Sequence, residues 1–570
     1  MSALKLLQSA SSIHDLAHLL GYKPASLGYV AYGLKPPLRY HSFEIQKRSG
    51  GFRTISAPAA QLKTLQRRLA AYLQKCLDEI DSASPRTRHI SHGFSPGRSI
   101  FSNAASHRKR AFVLNVDLED FFGSIHFGRV RGFFVENKNF RLHPEVAKIL
   151  AQIVCDNGTL PQGAPTSPVI SNMLGHILDM RLWRIAQRYN CSYTRYADDL
   201  TFSTSLPEFP HQLAFADPGC PNQWQAGKEL KREIARCGFS VNEKKTRLQL
   251  RRSRQEVTGV VVNQRLNVRS DYRRTARAML HRLRKSGSFE IEGTETSGGT
   301  STKRKITGTL NQLEGMLAFL RQADNEHAKR TGIAFTDLSP AERLQKRFVF
   351  YRTFAAAQKP VIMFEGATDA IYIREALRKL ASKFPSLAAT VAGRLKLNAT
   401  LFKPTKHIAR LAALSGGSSE FVKFIQEYTE DFKHIGSPKK GRNPIIVVLD
   451  NDDGAKPVLD LIKKRFKKSL PDGDRSLGVF ENLYICLTSP HGAPHHCMED
   501  FFEAAVLSEK IGGKSFSKSN KLDTTKEYGK VWLAEKIVRP HASTINFDGF
   551  IPLLTELDSL IKKHSSTAGP

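Results

Sequence analysis

The chain has 570 residues and a formal net charge of +33, from 86 lysines and arginines against 53 acidic residues. This length allows several domains, and such a basic balance favours a polyanionic partner. No apolar run is long enough to span a bilayer, and the seven cysteines are scattered, with no Cys-x-x-Cys pair. Composition therefore predicts a cytoplasmic protein that acts on nucleic acid, with no membrane partner, disulfide framework or zinc ribbon.

The N-terminal part predicts a hairpin followed by a basic helix. Residues 47–58 predict a β-hairpin that turns at Gly50 and Gly51, with Arg53 just after the turn. Apolar residues three or four apart over Leu62–Leu77, with basic residues between them, predict an amphipathic helix with a cationic outer face. The guanidinium of Arg53 could hold phosphate oxygens through two parallel hydrogen bonds; a solvated hairpin arginine is the alternative.

Three acids then appear at positions typical of strand ends. The apolar run that begins at Ala111 ends in Asp117, the pattern of a buried strand with an acid at its tip. At Tyr196-Ala197-Asp198-Asp199, two carboxylates lie between runs rich in Tyr, Thr, Phe and Leu, which predicts a hairpin with the acids at its turn. Adjacent carboxylates repel one another unless a cation lies between them, and Mg²⁺ prefers oxygen ligands. One acid on a strand and two on a hairpin predict a two-metal site for phosphoryl transfer.

These motifs, with the Pro/Gly loop Leu160–Pro168 between them, resemble a reverse transcriptase in the order of that family. The resemblance implies an α+β right-hand polymerase over 1–357, with fingers and palm over roughly 1–265 and a thumb over roughly 266–357. It implies two Mg²⁺ ions and their ligands: Asp117, the backbone carbonyl of Leu118, Asp198 and Asp199. Thumb helices are expected around Ile306–Leu320, where Ile306, Leu310, Leu313, Leu317 and Leu320 share one helical face.

The same resemblance implies a binding site for dNTPs. Arg53 would hold the triphosphate, and Gln162 of the Pro/Gly loop would lie beside the nucleotide. Phe122 would lie beneath the sugar and exclude a 2′-hydroxyl, with core packing as its alternative and Phe121 as the packed partner. Lys244, or its neighbour Lys245, would protonate pyrophosphate, and a solvated lysine is the alternative.

Two further motifs flank the polymerase core. Asn103 and His107 form an Asn-Ala-x-x-His sequence, and Val257-Thr258-Gly259 follows the core. Both resemble signatures of retron reverse transcriptases and imply contacts with a partner RNA. A helix with an N-terminal asparagine, and a strand with a bulge glycine, are the alternatives. The presence of both motifs favours the retron branch over a group II intron-like reverse transcriptase, which would extend an ordinary 3′-hydroxyl primer.

Past Pro360 the sequence pattern changes to that of an α/β domain. Val361–Phe364 predicts a strand followed by Glu365, and Pro444–Leu449 predicts a buried parallel strand followed by Asp450-x-Asp452. Because α/β sheets place their sites at the carboxyl ends of parallel strands, these acids predict a second magnesium centre.

Glu-Gly-x-x-Asp after the first strand and Asp-x-Asp after the later one resemble the TOPRIM domain, a Mg²⁺-dependent fold. The resemblance implies an α/β domain with a mainly parallel sheet over 358–570, with Glu365 as general acid/base and metal partner and Asp450 and Asp452 as ligands. Glu499 could supply a second metal, giving one or two Mg²⁺ ions. An ordinary α/β fold with solvated acids is the alternative, and the spacing of His491, His495, His496 and Cys497 fits no common zinc template.

The resemblance to both families implies a retron reverse transcriptase fused to a TOPRIM nuclease. Such an enzyme would copy a structured non-coding RNA into a covalently branched RNA–DNA (msDNA), primed from a 2′-hydroxyl, and would keep the hybrid bound. The nuclease would then act on a nucleic-acid target as a toxic effector in anti-phage defence. A TOPRIM scaffold that binds nucleic acid without turnover is the competing hypothesis, and the sequence leaves open whether the chain forms a homo-oligomer.

Overall fold

The computed structural model of the chain describes residues 2–47, 51–83, 90–217, 219–297, 300–332, 337–412, 414, 418–519 and 522–567. The chain divides into two compact units. The first comprises Met1–Arg269 and Ala323–Gly332, and the second comprises Ser270–Gln322 and Ile333–Pro570. In the described part of the chain, no helix is both long and apolar enough to cross a bilayer. The predicted turn residue Gly50 lies outside the described residues.

The first unit combines ten helices with short strands in its described residues. The helices are α1 (Ala3–Ser9), α2 (Ile13–Leu20), α3 (Pro24–Gly28), α4 (Pro36–Arg39), α5 (Ala60–Ala83), α6 (Ile100–Ala105), α7 (Phe127–Glu136), α8 (Pro144–Val154), α9 (Ser167–Arg188) and α10 (Lys228–Arg236). The strands are β1 (Tyr40–Gln46), β2 (Phe52–Pro58), β3 (Phe112–Glu119), β4 (Ser192–Tyr196), β5 (Asp199–Thr204), β6 (Ala214–Asp217), β7 (Cys220–Ala226), β8 (Ser240–Leu250), β9 (Glu256–Val257) and β10 (Val260–Val261).

The long helix α5 confirms the predicted amphipathic segment. Its buried residues recur every three or four positions, as Leu62, Leu65, Leu69 and Leu73 do. This spacing places them on one side of the helix, where they join the apolar core of the unit.

A four-stranded antiparallel sheet, in the order β4-β5-β3-β8, positions the acids of the first unit. Strand β3 lies inside the sheet, and its residues Val113, Leu114 and Val116 are buried. Because the apolar face of the sheet packs into the core, the register of β3 is fixed and its acidic tip is held at one edge.

The second unit is built from the remaining numbered elements. Its helices are α11 (Ser270–Ser286), α12 (Leu310–Thr331, whose last turns belong to the first unit), α13 (Pro340–Phe350), α14 (Asp369–Leu380), α15 (Lys406–Ala412), α16 (Ser418–Lys433), α17 (Lys456–Phe466), α18 (Ala504–Leu507), α19 (Lys530–Trp532) and α20 (Ile551–Thr567). Its strands are β11 (Glu290–Ser297), β12 (Thr300–Thr307), β13 (Val361–Phe364), β14 (Ala388–Val391), β15 (Arg394–Leu397), β16 (Thr400–Phe402), β17 (Ile445–Leu449), β18 (Ser476–Phe480), β19 (Leu483–Leu487), β20 (Ser515–Phe516) and β21 (Glu527–Tyr528).

A five-stranded sheet in the order β16-β13-β17-β19-β18 forms the centre of this unit. Strands β16, β13, β17 and β19 are parallel, and β18 pairs antiparallel at the edge. Every residue of β17 is buried, which explains its continuous Ile/Val run, since a parallel strand is covered on both faces.

The helices of the predicted thumb pack with the C-terminal sheet domain in this second unit. The carbonyl of Arg284, near the end of α11, accepts hydrogen bonds from the N–H groups of Gly436 (3.0 Å) and Ser437 (3.1 Å). The hydroxyl groups of Tyr351 and Ser437 lie 2.9 Å apart. The first boundary between the compact units along the chain therefore follows Arg269, near the predicted start of the thumb, while the predicted domain boundary at 357/358 falls inside the second unit.

One part of the predicted thumb helix is wrong. Ile306 lies in β12, and the helix begins at Leu310, because Thr309 and Gln312 form reciprocal capping hydrogen bonds that start it there. Leu313, Leu317 and Leu320 are buried on the helix as predicted.

Candidate functional site

The three predicted polymerase acids meet where β3 and β5 pair. Asp117 lies opposite Asp199 in the antiparallel register. The N–H of Leu118 donates to the carbonyl of Asp198 over 3.0 Å. These bonds join the acid-bearing strand to the turn of the hairpin, so the structure brings all three carboxylates to one edge of the sheet.

A buried ion pair holds the turn that carries Asp198. Nε and Nη2 of Arg195 each lie 2.8 Å from an oxygen of Asp179, and Nη1 donates to the carbonyl of Ala197 over 3.1 Å. Arg195 is fully buried, and Ala197 has a left-handed φ of 57°. Because a buried charge is tolerated only when paired, this contact fixes the strand that precedes the turn. The sequence analysis did not identify Arg195 or Asp179, although an arginine within an apolar strand pattern is a signal of a buried ion pair.

Desolvation, together with neighbouring carboxylates, raises the pKa of the two hairpin acids. Desolvation and the charge of Asp117 raise the pKa of Asp198. The pKa of Asp199 rises to about 7, first through desolvation by the surrounding protein and then through Asp198 and Asp117, although its own side chain is solvent-exposed. A cation bound between these carboxylates would relieve their repulsion.

The donor set fits magnesium only as an open site. Within the described ranges, no three His, Cys, Asp or Glu side chains form a ready-made metal cage. Mg²⁺ is nevertheless commonly held by one or two carboxylates together with substrate phosphates rather than by an all-protein cage. Asp117, Asp198 and Asp199 therefore fit a centre that an incoming nucleotide completes.

A lysine lies against the first acid. Nζ of Lys245 lies 2.9 and 3.0 Å from the two carboxylate oxygens of Asp117. The structure thus brings Lys245 to the acids, and not Lys244, which the sequence prediction named first. Between Asn242 and Arg247, β8 carries several residues opposite a single residue of β3, and this irregularity breaks the alternation that decides which lysine points inward.

The fingers hairpin β1–β2 is joined to the Pro/Gly loop. The carbonyl of Gln162 accepts the N–H of Ser56 over 2.8 Å. Gly163 has a φ of 123°, and a Cβ there would lie 2.9 Å from the carbonyl oxygen of Ser56, so this close approach requires glycine. Arg53 is exposed on β2, and its charge lowers the pKa of Asp198 against the larger effects that raise it.

The two adjacent phenylalanines after the acid strand differ in burial. Phe121 is buried and stacks on Phe239, with ring centroids 5.4 Å apart. Phe122 is half-buried, and its ring lies 5.4 Å from Phe121 and 6.4 Å from Phe94. Phe121 is therefore the packed partner, and Phe122 keeps an accessible face; its role in nucleotide selection stays a prediction.

Asn103 and His107 are fully buried and hydrogen-bond to the catalytic hairpin. The hydroxyl of Thr194 donates to Oδ1 of Asn103 over 2.6 Å, so Nε2–H of His107 donates to Thr194 and Nδ1 accepts from Ser203, each over 2.7 Å. Desolvation lowers the pKa of His107 to about 3. These contacts support the strands β4 and β5, and the burial leaves neither side chain open to an RNA.

The second signature lies beside the helix that carries the first. Thr258 and Gly259 form the tight turn between β9 and β10, with φ values of 47° and 79°. The Thr258 hydroxyl donates to the carbonyl of Ile100 in α6 over 3.4 Å. Val257 is buried, whereas Gly259 is exposed, so the turn is the accessible part of this pair of motifs.

Comparisons with known proteins agree with this geometry. Residues 45–262 match the family described as reverse transcriptase (RNA-dependent DNA polymerase). The chain is 36% identical over 336 residues to the Retron Mx65 reverse transcriptase of Myxococcus xanthus, which covers 55% of this chain and 69% of that protein. The chain belongs to the retron reverse transcriptase family. It is also 32% identical over 286 residues to the Retron Ec86 reverse transcriptase of Escherichia coli, which covers 50% of this chain and 81% of that protein.

Among solved structures, an apo telomerase from Candida tropicalis matches this reverse transcriptase with a TM-score of 0.28 at 13% identity. The match covers 44% of this chain and 61% of that one. The score is too low to bear on the fold.

This retron reverse transcriptase carries a second group of acids in its C-terminal sheet domain. Strands β13 and β17 are parallel neighbours, and Glu365 and Asp450 directly follow them. The backbone N–H of Asp450 donates a long hydrogen bond, 3.4 Å, to Oε2 of Glu365. The structure therefore brings these two predicted residues together at the carboxyl ends of adjacent strands.

Asp369, the last residue of the Glu-Gly-x-x-Asp motif, joins them although sequence reasoning gave it no role. It is buried and accepts the N–H of Gly366 over 2.8 Å. Desolvation is the main cause that raises the pKa of Asp369 to about 6 and that of Asp450 to about 8, and the neighbouring carboxylates contribute to both. This mutual repulsion is the same signature of a cation site as in the polymerase acids.

Glu499 and Lys530 complete this cluster. The Glu499 side chain is 0% exposed, and Nζ of Lys530 lies 2.9 Å from its Oε2. Within the described residues, neither oxygen of Glu499 accepts a hydrogen bond of normal geometry. Although desolvation alone would lower the pKa of Lys530, Glu499 and Asp450 raise it above its ordinary value. Lys530 was missed because it lies 31 residues beyond Glu499, on a short helix with no motif of its own.

Asp452 takes a different position from the one predicted. It is exposed, and its Oδ1 accepts the N–H of Gly454 over 2.8 Å, as a cap of the turn that follows. The histidines do not converge either: Nδ1 of His491 lies 2.8 Å from Asp472, and His496 pairs through its backbone with Asn451.

Proposed function

We propose that this retron reverse transcriptase copies a structured partner RNA into DNA that remains joined to it as a branched msDNA. The observation that carries the proposal is the pairing of β3 with the hairpin, which places Asp117, Asp198 and Asp199 together. Two relatives that match this half are named retron reverse transcriptases. A ribose 2′-hydroxyl of the RNA would serve as the primer.

The polymerase acids would hold two Mg²⁺ ions, with the carbonyl of Leu118 as a further ligand. Magnesium bound there would favour deprotonation of the attacking hydroxyl and neutralise the triphosphate. The buried Arg195–Asp179 pair would keep the hairpin turn in position. Lys245, which contacts Asp117, would give a proton to the leaving pyrophosphate in place of Lys244.

The remaining nucleotide contacts follow from the fingers and the palm. Arg53 would bind the triphosphate through its guanidinium, and Gln162 is held beside it by the β2 contact of its loop. Phe122 presents its accessible face where the sugar of a dNTP would lie. Asn103 and His107 would act as positioning residues beneath the hairpin, and the accessible Thr258–Gly259 turn would make the RNA contact.

Co-expression of this chain with a non-coding RNA encoded beside its gene tests this proposal. A branched RNA–DNA species should co-purify with the wild-type chain and be sensitive to both ribonuclease and deoxyribonuclease. Asp117→Asn should yield the RNA without attached DNA, because it removes one acid and leaves the fold unchanged. DNA synthesis only from an added 3′-hydroxyl primer, with no branched product, would contradict the retron reaction and favour a group II intron-like enzyme.

We further propose that the C-terminal sheet domain is a TOPRIM-like, Mg²⁺-dependent nuclease. The proposal rests on Glu365, Asp369, Asp450 and Glu499, which gather at the carboxyl ends of parallel strands beside Lys530. Glu365 would act as general acid/base, and the other three carboxylates would hold one or two ions. Asp452 would stabilise the neighbouring turn.

A cleavage assay separates this proposal from a binding scaffold. Purified wild-type chain should cleave single-stranded RNA or DNA with Mg²⁺ and not with EDTA, and Glu365→Gln should abolish cleavage. The matched control is Glu481→Gln, an exposed glutamate of the same domain, which should leave cleavage unchanged. Equal behaviour of wild type and Glu365→Gln would support the scaffold.

The bound RNA–DNA hybrid would restrain this nuclease until infection. Support comes from the packing of α11, whose Arg284 carbonyl is capped by Gly436 and Ser437 of the C-terminal domain. Through this contact, release of nucleic acid bound at the thumb helices would be transmitted to the nuclease. Release of the hybrid with nucleases should increase cleavage by the wild-type chain; cleavage that is independent of the hybrid would argue against an effector role in anti-phage defence.

A further inference from the structure

A cavity of about 360 Å³ opens beside the C-terminal acids. Its walls come from the end of β13, the Glu365–Ala367 turn, the end of β16 and the starts of α15 and α16. Pockets that take small molecules have volumes of roughly 300–1,000 Å³, so this one is large enough for a single nucleotide-sized group. Glu365 lines the cavity and also belongs to the acid cluster.

The interior of the cavity is apolar and aromatic. Phe402 and Phe421 are among the lining residues, with Met363 and Leu414. Phe421 is buried, whereas Phe402 is half-buried and is held edge-on against Phe354, with ring centroids 5.3 Å apart. Fixed aromatic rings around a space of this size favour a flat, aromatic occupant.

The rim of the cavity is charged. Lys403 and Lys406 line it and are both exposed. Two ammonium groups at the entrance favour an anion there. The carboxylate of Glu420 also lines the cavity and would repel a phosphate, so the phosphate of an occupant belongs at the two lysines, whose charge offsets that of Glu420 and Glu365.

We propose that this cavity binds one unstacked nucleobase with its phosphate at the rim, next to the bond that the nuclease cleaves. The shared edge at Glu365 places the phosphate of a bound nucleotide beside the acid cluster. A base enters such a cavity only after it leaves its stack, and this is easiest in a single strand. The favoured substrate is therefore a single-stranded nucleic acid. This inference rests on the proposed nuclease only for the cleavage step.

Photo-crosslinking tests the cavity without requiring cleavage. The full chain carrying Glu365→Gln is irradiated with a 5-iodouridine-containing single-stranded 12-mer, and crosslinked peptides are identified by mass spectrometry. Crosslinks should map to Phe402 or Phe421, and Phe402→Leu should reduce them at least fivefold. Lys406→Glu should reduce them similarly, whereas Lys423→Glu, the same charge change at an exposed position of α16, should not.

The outcomes distinguish this proposal from the nuclease. Crosslinks confined to other parts of the chain and unchanged by Phe402→Leu would overturn the cavity site, even if the wild type cleaves. Cavity crosslinks in a chain that never cleaves would support the site and contradict the nuclease. Competition by uridine monophosphate, but not by inorganic phosphate, would support the base-and-phosphate chemistry and show whether a free nucleotide can supply it; equal competition by both would overturn the base subsite.

Discussion

The two acid clusters of this chain both gather carboxylates beside a lysine, but their surroundings differ. In the first unit, Asp117 and Asp198 lie at the edge of an antiparallel sheet, and the exposed Asp199 lies beside them. In the second unit, Asp369 and Glu499 are buried behind the ends of parallel strands. The pKa is raised for Asp198 and Asp199 in the first cluster and for Asp369 and Asp450 in the second, and one lysine contacts each cluster.

The difference lies in how much of each cluster depends on the folded protein. Asp198 and Asp199 are adjacent in sequence, and Asp117 joins them through the pairing of β3 with β5; Asp199 is exposed, whereas Asp117 is buried. The C-terminal acids come from three separate segments, and desolvation is the main cause that raises the pKa of Asp450 to about 8, as it is for Asp199, to about 7. The exposed Asp199 leaves the first cluster open to an incoming substrate, whereas the fold holds the buried Asp369 and Glu499 in place within the second.

Substitutions in one cluster at a time should have the largest effect on the two activities. Asp198→Asn should reduce DNA synthesis by about 10²-fold or more, because it removes charge where the transferred phosphoryl group is stabilised, and should leave cleavage intact. Glu365→Gln should do the reverse. Primer extension and cleavage assays on the same preparations check both, and loss of both activities in either variant would mean that the centres are not independent.

The next largest effect concerns the buried pair beneath the polymerase hairpin. Arg195→Met should destabilise the first unit by about 3–5 kcal/mol, because Asp179 is left as an unpaired buried charge. The double variant Arg195→Met/Asp179→Leu should recover most of that loss of stability. Urea unfolding of the three proteins measures this, and equal stability of wild type and Arg195→Met would show that the pair does not support the turn.

A smaller loss is expected at the corresponding lysine of the second cluster. Lys530→Met should destabilise the second unit by no more than roughly 3 kcal/mol, the low end for a broken buried pair, because the lysine side chain is 32% exposed. Mg²⁺ should restore more stability to this variant than to wild type, since a cation would replace the lost charge beside Glu499. Thermal unfolding with Mg²⁺ or EDTA checks this, and an equal metal effect on both proteins would contradict a cation site there.

The last prediction concerns the pH-dependent contribution of His107 to the stability of the first unit. The folded-state pKa of His107, about 3, lies below its unfolded value near 6.5. The unfolded state therefore binds more protons at this residue between these values. The contribution of His107 to the stability of the first unit should fall by up to about 1.4 kcal/mol per pH unit as the pH falls through that window, while the raised pKa of Asp199, about 7, acts in the opposite sense. His107→Gln should remove this contribution.

Tryptophan fluorescence can follow this unit alone. In a Trp532→Phe background, the remaining tryptophans Trp183 and Trp224 both lie in the first unit. Urea titrations from pH 7 to 4 should then show a steeper loss of stability with His107 than with glutamine. Asp369 and Asp450 act in the opposite sense, since their raised pKa values make the second unit lose stability as pH rises from about 4 towards 8 without metal. Parallel slopes with and without the His107→Gln substitution would show that the buried imidazole does not resist protonation.

Local patterns in the sequence were sufficient to predict the first centre. A strand tip locates Asp117 and a hairpin turn locates Asp198 and Asp199, and the order of the motifs in the reverse transcriptase resemblance predicted that β3 and the hairpin would come together, as their pairing shows. The sequence could not show that Arg195 pairs with Asp179, because the two residues lie on a strand and a helix whose packing no local pattern encodes. Lys245 was ambiguous with Lys244 because the irregular register of β8 removes the two-residue alternation.

The second centre was predicted less completely for the same reason. Glu365 and Asp450 follow apolar strands, and the rule for parallel sheets brought them together. Asp452 was assigned to the cluster by its motif, but the chain turns after Asp450 and uses Asp452 as a cap. Glu499 and Lys530 lie far along the sequence from the other acids and from each other. Only the folded structure therefore shows that the lysine neutralises the acid.

The most direct test of two separate magnesium centres is anomalous diffraction from crystals of the full chain soaked with Mn²⁺, a common substitute for Mg²⁺ at oxygen-ligand sites. The account predicts one or two manganese peaks beside Asp117 and Asp198, and a separate peak beside Glu365 and Asp450. Asp198→Asn should weaken only the first group of peaks. Absence of manganese at either cluster in crystals where the other is occupied would contradict the assignment of a metal centre there.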